Sequence, residues 1–340
     1  MHVCPQPPHD GPTTAATACS DTTMGAFTDL ESQLITFADA EEAGTASRLI
    51  RAHQAGSLIR IARGAYVSAA VLQDGSPAER EARRYRLMVL AAARRLRAPI
   101  FTGHSALALL GLPIVGSWPE DVYVLANRPH GTRRRGVVTV ARRTEVPVNA
   151  VDGVAITSVE YSLIQVARRA PLLPALAAAN AACFVPRFGG VPPLTTIEAL
   201  WTEHERLMPY QGSRRVVRTL LRVTTKSESV LETVSDVAIE SAGLVFPTKQ
   251  AALTLPSGRT VYLDYLWEEE GIGGEADGDS KYRSGDGAEQ VIAEKWREDE
   301  VRDAVRRLVR WGWQAAWQRT PLAAKLLRAG VPRVSRPRTL

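Results

Sequence analysis

Acidic residues in the last third of the chain have the types and the spacing that metal-assisted chemistry on phosphates requires. Asp264 lies inside a strand-like run, and Glu275 follows it eleven positions later on the next predicted strand. Hard divalent cations such as Mg²⁺ take carboxylate oxygens as ligands, and carboxylates on adjacent strands can hold such a cation beside a phosphate. Glu232, on the preceding helix, is expected to complete the ligand set, and a nearby lysine to stabilise charge or orient the attacking water.

A solvated turn is the competing interpretation of the same segment. Glu275, Asp277 and Asp279 alternate with small residues, which is also the composition of an acidic, glycine-rich turn. Composition alone favours the turn. If the segment does hold a cation, Asp277 is the residue that would add a further carboxylate to Asp264 and Glu275.

These residues are carried by a predicted α+β unit that spans residues 226–320. Its apolar spacing predicts a leading amphipathic helix, with valines on one side and Glu232 near that side. The predicted elements, in chain order, are a helix over 227–240, strands over 251–255 and 260–266, a short strand from 273, a helix over 288–310 and an aromatic strand over 311–317. This order would bring the acidic residues together at one sheet.

The first folded region, residues 30–70, has the element order of a winged helix-turn-helix. Thr36 and Thr45 are placed to cap two short helices, each of which a glycine ends. The run from 58 to 67 then predicts two short strands around a turn. Two helices followed by a hairpin are typical of winged DNA-binding domains.

The second of these helices, predicted over residues 46–55, is apolar on one side and cationic on the other. We expect it to enter the major groove of double-stranded DNA, with four arginines contacting phosphates. These arginines are Arg48, Arg51, Arg60 and Arg63. The alternative is a small packing unit with an arginine-rich, solvated surface.

Residues 75–222 predict an α+β middle domain in which helices alternate with short strands. His104 lies beside Ser105 at a strand-to-helix turn, but no carboxylate or second histidine accompanies it at a recognisable spacing, so a structural role is expected. The cluster Arg133–Arg135 predicts a solvated loop, with phosphate contacts as the alternative.

The two ends of the chain are predicted to be tails, over residues 1–29 and 321–340. The first is polar, lacks the residue order of a secretory signal, and contains Met24 as an alternative start. Cys183 is the one cysteine outside that tail, so no disulfide framework is predicted and a reducing cytoplasm is expected. No apolar run reaches the ~18 residues of a membrane-spanning helix, which excludes an integral membrane protein.

Positive charge is concentrated in the front of the chain. Residues 1–225 contain 25 basic and 18 acidic side chains, and all of the basic ones are arginine. Residues 226–340 contain 17 basic and 18 acidic side chains, and they hold every lysine. A genome rich in G and C favours arginine codons, but the change near residue 225 also predicts a boundary between a polyanion-binding front and a mixed-charge back.

The last third resembles the very-short-patch-repair-like branch of the PD-(D/E)XK nuclease superfamily. The residues that carry the resemblance are Glu232, Asp264, Glu275-Ala-Asp277-Gly-Asp-Ser-Lys281-Tyr, Glu294-Lys-Trp-Arg-Glu298 and Trp311-Gly-Trp313. The resemblance covers about residues 227–318 and implies a restriction-endonuclease-like αβββαβ fold. It implies that Asp264 and Glu275 bind Mg²⁺, or Mn²⁺ in its place, and that Glu232 is a helix-borne acid at the same site.

Three features depart from that superfamily pattern. Asp277 replaces the lysine expected two positions after the second acid, and Lys281 resembles a migrated form of that lysine. Asp236 stands where the family helix usually carries an arginine. The segment Gly-Ile-Gly-Gly precedes Glu275 in place of an aliphatic strand. These departures leave open whether the site is catalytic.

The front of the chain resembles the AbiEi family of abortive-infection antitoxins over about residues 36–222. The resemblance rests on the winged-helix ending Gly64-Ala-Tyr-Val67, on Thr102-Gly-His-Ser-Ala-Leu-Ala-Leu-Leu-Gly-Leu-Pro113 and on Val151-Asp-Gly-Val-Ala-Ile-Thr-Ser158. It implies a cytoplasmic regulator that binds operator DNA and opposes a nucleotidyltransferase-type toxin. An inverted-repeat operator would imply a homodimer on DNA.

Three functions remain open from the sequence. The first is a DNA-binding regulatory or defence protein of the AbiEi antitoxin type, whose nuclease-fold unit binds nucleic acid or a partner. The second is a Mg²⁺-dependent DNA endonuclease that the winged helix delivers to its substrate. The third is an antitoxin that acts only by protein–protein contact.

Overall fold

The computed structural model of the protein describes Leu30 and residues 32–134, 136–255, 257–277 and 300–334. Helices and several small sheets are interspersed along the chain, so the predicted α+β class is confirmed. Within those described residues, no helix combines the length and the apolar character that crossing a membrane requires. The predicted tail over residues 1–29 lies outside them.

A three-stranded antiparallel sheet and two short helices begin the described chain. The elements are strand β1 (Ile35–Thr36), helix α1 (Phe37–Glu42), helix α2 (Ala46–Gln54), strand β2 (Leu58–Ala62) and strand β3 (Ala65–Ser68), in the sheet order β1-β3-β2. Thr36 caps α1 as predicted, because its hydroxyl accepts the Asp39 amide at 3.0 Å. Thr45 is the N-cap residue of α2 as predicted, but its hydroxyl donates to the Ala40 carbonyl and makes no capping hydrogen bond.

One hydrophobic core joins this N-terminal unit to the residues that follow it. Tyr85, from helix α3 (Pro77–Arg95), lies in the same buried cluster as Leu34 and Val67 of the N-terminal unit. Both Tyr85 and Val67 are almost completely shielded from solvent. The domain boundary predicted after residue 70 therefore does not divide the hydrophobic core, which the segments on both sides of it share.

Helices and short strands alternate through the middle of the chain. The elements are helix α4 (His104–Leu109), strands β4 (Val122–Leu125), β5 (Thr132–Arg134), β6 (Val137–Val140), β7 (Val148–Val151) and β8 (Val154–Thr157), and helices α5 (Val159–Ala167), α6 (Leu172–Cys183), α7 (Ile197–Leu207) and α8 (Ser213–Leu220). Strand β6 pairs in parallel with β4 and antiparallel with β5, whereas β7 and β8 form a hairpin.

Neighbouring side chains explain two features that the sequence singled out in this region. Burial, together with the charge of Arg169, lowers the pKa of His104 to about 4, so its ring is neutral near pH 7. The loop predicted at Arg133–Arg135 is wrong where it is described, because Arg133 lies in strand β5 and its Nη2 pairs with Asp121 Oδ2 at 2.7 Å.

The C-terminal unit is a four-stranded sheet with helix α9 (Val230–Ser241) packed against it. Its strands are β9 (Thr248–Thr254), β10 (Thr260–Trp267), β11 (Ile272–Ala276) and β12 (Arg307–Trp311), in the order β12-β11-β10-β9. The pairs β9–β10 and β10–β11 are antiparallel, whereas β11 and β12 are parallel. A helix, three strands and a parallel fourth strand follow one another, and residues 300–304 before β12 are helical.

The sequence predictions fail at the end of this unit. The helix predicted to reach residue 310 ends earlier, because β12 begins at Arg307 and pairs with β11. The aromatic strand predicted over 311–317 is instead helix α10 (Trp313–Gln318), on which the rings of Trp313 and Trp317 stack one turn apart at 5.9 Å. Alternating aromatic residues resemble a strand pattern, but here they fall on two different elements.

The segment predicted to be a tail from residue 321 contains a further helix. Helix α11 (Thr320–Ala329) carries Leu322 and Leu326, both fully buried in the C-terminal core. These apolar residues lie one turn apart and so face the core together. Of the predicted tail, residues 335–340 lie outside the described part of the chain.

Close packing explains the glycines that replace an aliphatic strand before Glu275. A Cβ atom on Gly274 would lie 2.8 Å from a ring atom of Trp311 and 3.1 Å from one of Trp267. Real side chains do not approach so closely, so this strand position accepts only glycine while the two tryptophans remain in place. The unusual strand therefore belongs to the packing of the sheet.

Candidate functional site

The predicted acidic residues do gather at one end of the C-terminal sheet. We use the name acidic cluster for the carboxylates of Glu232, Asp236, Asp264, Glu275 and Asp277. Helix α9 contributes the first two, and strands β10 and β11 with the residue after β11 contribute the others. The contacts below show what each carboxylate binds.

Glu232 is held by the amino end of its own helix. Its Oε1 accepts hydrogen bonds from the Ser229 amide and the Ser229 hydroxyl, both at 3.0 Å, while the Ser229 hydroxyl caps the Glu232 amide at 3.1 Å. This reciprocal arrangement is a capping box, which satisfies backbone amides at a helix start. Glu232 is 3% exposed. This buried acid, which the sequence predicts to be catalytic, therefore also stabilises the start of helix α9.

Lys249 of strand β9 lies buried between the two acids of helix α9. Its Nζ is 2.7 Å from Asp236 Oδ2 and 3.8 Å from Glu232 Oε2, and it donates to the Ser227 hydroxyl at 2.6 Å. The Tyr265 hydroxyl donates to Asp236 Oδ1 at 3.1 Å. Asp236, which departs from the family pattern, is therefore the partner of a lysine that comes from the neighbouring strand.

Gln250 connects Glu232 to Asp264. Its Nε2 lies 3.4 Å from Glu232 Oε2 and 3.4 Å from Asp264 Oδ1. The backbone of Gln250 has a φ of +51°, a conformation that few non-glycine residues adopt. Asp264 Oδ2 accepts the Ala276 amide at 2.9 Å, which places this carboxylate beside strand β11 and next to Glu275.

Arg310 of strand β12 holds the acids of strand β11. The parallel register pairs Arg310 with Glu275, and Arg310 Nη2 lies 2.6 Å from Glu275 Oε2. Arg310 Nε is 3.5 Å from Asp277 Oδ2. One guanidinium group therefore contacts both carboxylates on this side of the cluster, and its single positive charge balances one of the two negative charges.

Burial shifts the protonation of the two helix-borne acids. Burial raises the pKa of Glu232; the charge of Lys249 opposes this effect and that of Asp264 adds to it. Burial also raises the pKa of Asp236, against the effect of the Lys249 ion pair. A raised pKa means that each group holds its proton at a higher pH than an exposed carboxyl does.

The arrangement does not fit a resident divalent cation. Across the residues that the structure describes, no three histidine, cysteine, aspartate or glutamate side chains lie close enough to share a metal ion. Glu275, the predicted second ligand, is instead engaged by Arg310 at 2.6 Å. A cation at Asp264 and Glu275 would compete with that guanidinium for Oε2 of Glu275, because both positive charges attract carboxylate oxygens.

Sequence reasoning found the acids but missed the residues that hold them. Lys249 had a readable signal, because alternation along β9 places it on the buried side, where a lysine needs an acidic partner. The sequence contained no such signal for Arg310, because its pairing depends on strand β12, where the sequence predicts a helix. Lys281, the predicted catalytic lysine, lies outside the described residues.

A residue of the middle region contacts the cluster from outside. Arg187, in the connection after helix α6, donates from Nη2 to the Gln250 side-chain oxygen at 2.6 Å. Its guanidinium group lies over the ring of Tyr262, 3.6 Å from the centroid. The neighbouring Phe188 is 82% exposed, so an aromatic and a cationic side chain stand at the edge of the cluster.

The four arginines predicted to contact DNA form a second candidate site, which we call the basic surface. Arg48, Arg51, Arg60 and Arg63 are all exposed. Leu49 turns the other side of α2 into the core, and α2 itself contains no acidic residue. In the described portion of the chain, none of the four arginines pairs with a carboxylate, although Arg60 Nε donates to the Ala62 carbonyl at 3.3 Å.

No protein-family model matches this chain, and no curated protein matches it either.

Proposed function

We propose that the protein is a DNA-binding regulatory or defence protein of the AbiEi antitoxin type, with a nuclease-fold C-terminal unit that acts as a binding module. The observation that carries the proposal is helix α2, whose exposed side presents Arg48 and Arg51 and whose sequence contains no acid. Cationic side chains without internal partners are free to neutralise phosphates.

The surroundings of α2 support a winged-helix arrangement. Two helices precede a two-stranded hairpin, and Arg60 and Arg63 lie in that hairpin and its turn. His53, near the end of α2, donates from Nδ1 to the Leu58 carbonyl at 3.0 Å, which fastens the helix to the first hairpin strand. We propose that α2 enters the major groove while the hairpin arginines contact the backbone.

DNA binding at several salt concentrations tests the proposal. The double substitution Arg48→Ala/Arg51→Ala should weaken binding to double-stranded DNA about tenfold or more, and the salt dependence should flatten by about two units of slope, because two phosphate contacts are lost. Fluorescence anisotropy with a labelled duplex measures both quantities.

A matched control removes the same charge elsewhere. Arg84→Ala/Arg95→Ala takes two exposed arginines from helix α3 and should leave the affinity nearly unchanged. Equal affinity for wild type and the α2 variant would overturn the assignment of the basic surface. It would favour the antitoxin that acts only by protein contact, with a nucleotidyltransferase-type toxin as the partner to test.

A Mg²⁺-dependent endonuclease is the second candidate, and one observation favours it. The hydrogen bond from the Ala276 amide to Asp264 Oδ2 brings the Asp264 carboxylate beside Glu275, as a nuclease of this superfamily would need. Arg310 opposes this candidate by occupying Glu275. Of the two observations, the ion pair is the stronger, because it occupies the carboxylate that the metal would need.

A cleavage assay on supercoiled plasmid distinguishes the DNA-binding regulator from the endonuclease. Wild type is incubated with plasmid and Mg²⁺ or Mn²⁺, beside an Asp264→Ala/Glu275→Ala control. Retardation of the plasmid without nicking is the result that our proposal expects. If wild type nicks the plasmid and the double substitution abolishes the nicking, the protein is an endonuclease. The antitoxin resemblance would then describe only its ancestry.

A further inference from the structure

A cavity of about 410 Å³ opens where helix α5 turns into α6 and helix α8 packs beside them. Its size lies within the range of about 300–1,000 Å³ that ligand pockets commonly have. We call it the arginine cavity, since three of the residues that line it are arginines. The lining residues are Ala167, Arg169, Ala170, Pro171, Leu172, Arg215, Arg218 and Thr219.

The positive charge of the arginine cavity is not neutralised from within the described chain. Arg169 Nη1 donates to the Gln165 side-chain oxygen at 2.9 Å, and Arg215 Nη1 lies 3.4 Å from the Arg169 carbonyl. These partners are neutral. Among the described residues, no carboxylate pairs with Arg169, Arg215 or Arg218, and the lining contains no acid.

The neighbouring groups register this charge. The charge of Arg169 adds to burial in lowering the pKa of His104, and it also lowers the pKa of Arg168. Arg168 and Arg169 repel one another, and an anion beside Arg169 would relieve that cost.

The fold of helix α8 directs two of these arginines. Val216, Thr219 and Leu220 are buried against the middle core, so the residues between them face outwards. Arg215 and Arg218 lie three positions apart and therefore on the same side of the helix. Both line the cavity, whereas the equally exposed Arg214 of the same helix does not.

The amino end of helix α6 adds to this charge. Pro171 precedes the helix, and no described side chain caps the amides that follow it. Helix amino ends carry a partial positive charge, which supplements the charge of the three arginines that line the cavity.

We propose that the arginine cavity binds the terminal phosphate of a nucleotide-sized ligand, at a site separate from the basic surface. Guanidinium groups bind phosphate through paired N–H donors, and three arginines around one concave space suit a terminal phosphate or a pyrophosphate. A duplex backbone is convex and is better received by the exposed helix α2. The source of the phosphate is either a free nucleotide or the phosphorylated end of a nucleic acid strand.

Calorimetric titration of the full chain at constant ionic strength tests the site. The probes are inorganic pyrophosphate, ATP, and one oligonucleotide prepared with a 5′-phosphate and with a 5′-hydroxyl. Pyrophosphate should bind wild type, and Arg215→Gln/Arg218→Gln should weaken it about tenfold or more, because charged hydrogen bonds are lost. Arg214→Gln should bind as wild type does.

The outcomes separate the ligand sources and the two proposals. ATP binding without a preference for the 5′-phosphate identifies a free nucleotide, and a preference for the 5′-phosphate identifies a strand end. Arg48→Ala/Arg51→Ala should leave pyrophosphate binding unchanged whether or not the basic surface binds DNA. Absence of pyrophosphate binding by wild type, or an equal loss in Arg214→Gln, would overturn the proposed cavity. Because the substituted arginines are exposed, unchanged melting temperatures are expected to verify folding of the variants.

Discussion

The acidic cluster and the arginine cavity are both dense in charge, yet they treat that charge in opposite ways. In the cluster, Lys249 lies 2.7 Å from Asp236 and Arg310 lies 2.6 Å from Glu275. In the cavity, three arginines line one space, and the partners of Arg169 and Arg215 are neutral. A buried charge that the fold has paired is part of its architecture, whereas unpaired like charges in a concave space leave room for a ligand.

This difference shows that residues with a strong sequence signal need not be the residues that bind a ligand. The acids were the strongest chemical signal in the sequence, and each of the contacts around them also has a structural explanation. The arginines of helix α8 gave no sequence motif, and only the packing of α8 beside α6 brings them together. The predictions below test how firmly the cluster is paired, in order of decreasing effect.

Removal of the buried lysine should have the largest effect. Lys249→Met leaves Asp236 and Glu232 without their shared cation, and breaking a buried pair from one side costs about 3–5 kcal/mol. Urea unfolding measures the loss. Lys226→Met, at an exposed position, should change the free energy of unfolding by less than about 0.5 kcal/mol. Similar stabilities of the two variants would show that the pair is not structural.

The same variant has a predicted pH dependence. Burial raises the pKa of Asp236, and the substitution removes the charge that opposes this rise. The folded variant then binds a proton more tightly than the unfolded chain, so its stability falls as pH increases through the raised value. The loss relative to wild type should be smaller at pH 5 than at pH 8.

Substitution of Arg310 should weaken the pairing of the acids on strand β11. Arg310→Gln removes the guanidinium that contacts Glu275 and Asp277, with an expected loss of about 2 kcal/mol. Addition of Mg²⁺ should then raise the melting temperature of the variant but not that of wild type, because binding to the folded state stabilises it. An equal increase in wild type would contradict the comparison and favour the endonuclease.

A smaller effect is expected at the capping acid. Glu232→Gln retains the capping box, which accepts glutamine, but removes the ionisable group. Because the pKa of Glu232 is raised, wild type should lose stability as pH rises through that value, and the variant should not. Parallel stability profiles from pH 4 to 8 would show that Glu232 does not titrate differently in the folded state.

The smallest effect is expected at the edge of the cluster. Arg187→Ala removes a stacking contact with Tyr262 and a hydrogen bond to Gln250, both at an exposed position, so the cost should be about 0.5–1 kcal/mol. Arg187→Lys keeps the charge without the planar contact and should recover only part of it. Thermal unfolding compares the two variants.

Local signals allowed much of the fold to be predicted. Thr36 caps its helix through Asp39, three residues away, as predicted, and the strand predicted over 260–266 is observed over Thr260–Trp267. Arg310 could not be predicted, because its partner Glu275 is 35 positions distant and is reached only through the parallel register of β11 and β12. Apolar and aromatic spacing identifies elements, but pairing between distant elements depends on the assembled sheet.

The core that joins the N-terminal unit to helix α3 limits how this protein can be divided. Leu34 and Val67 are buried against Tyr85 and Leu87, so a fragment that stops at residue 70 would expose the apolar side of its sheet to water. The N-terminal unit that carries the basic surface is therefore not expected to fold independently of helix α3. If recombination or engineering transfers the basic surface to another protein, helix α3 and the strands packed on it must be transferred with it as one unit.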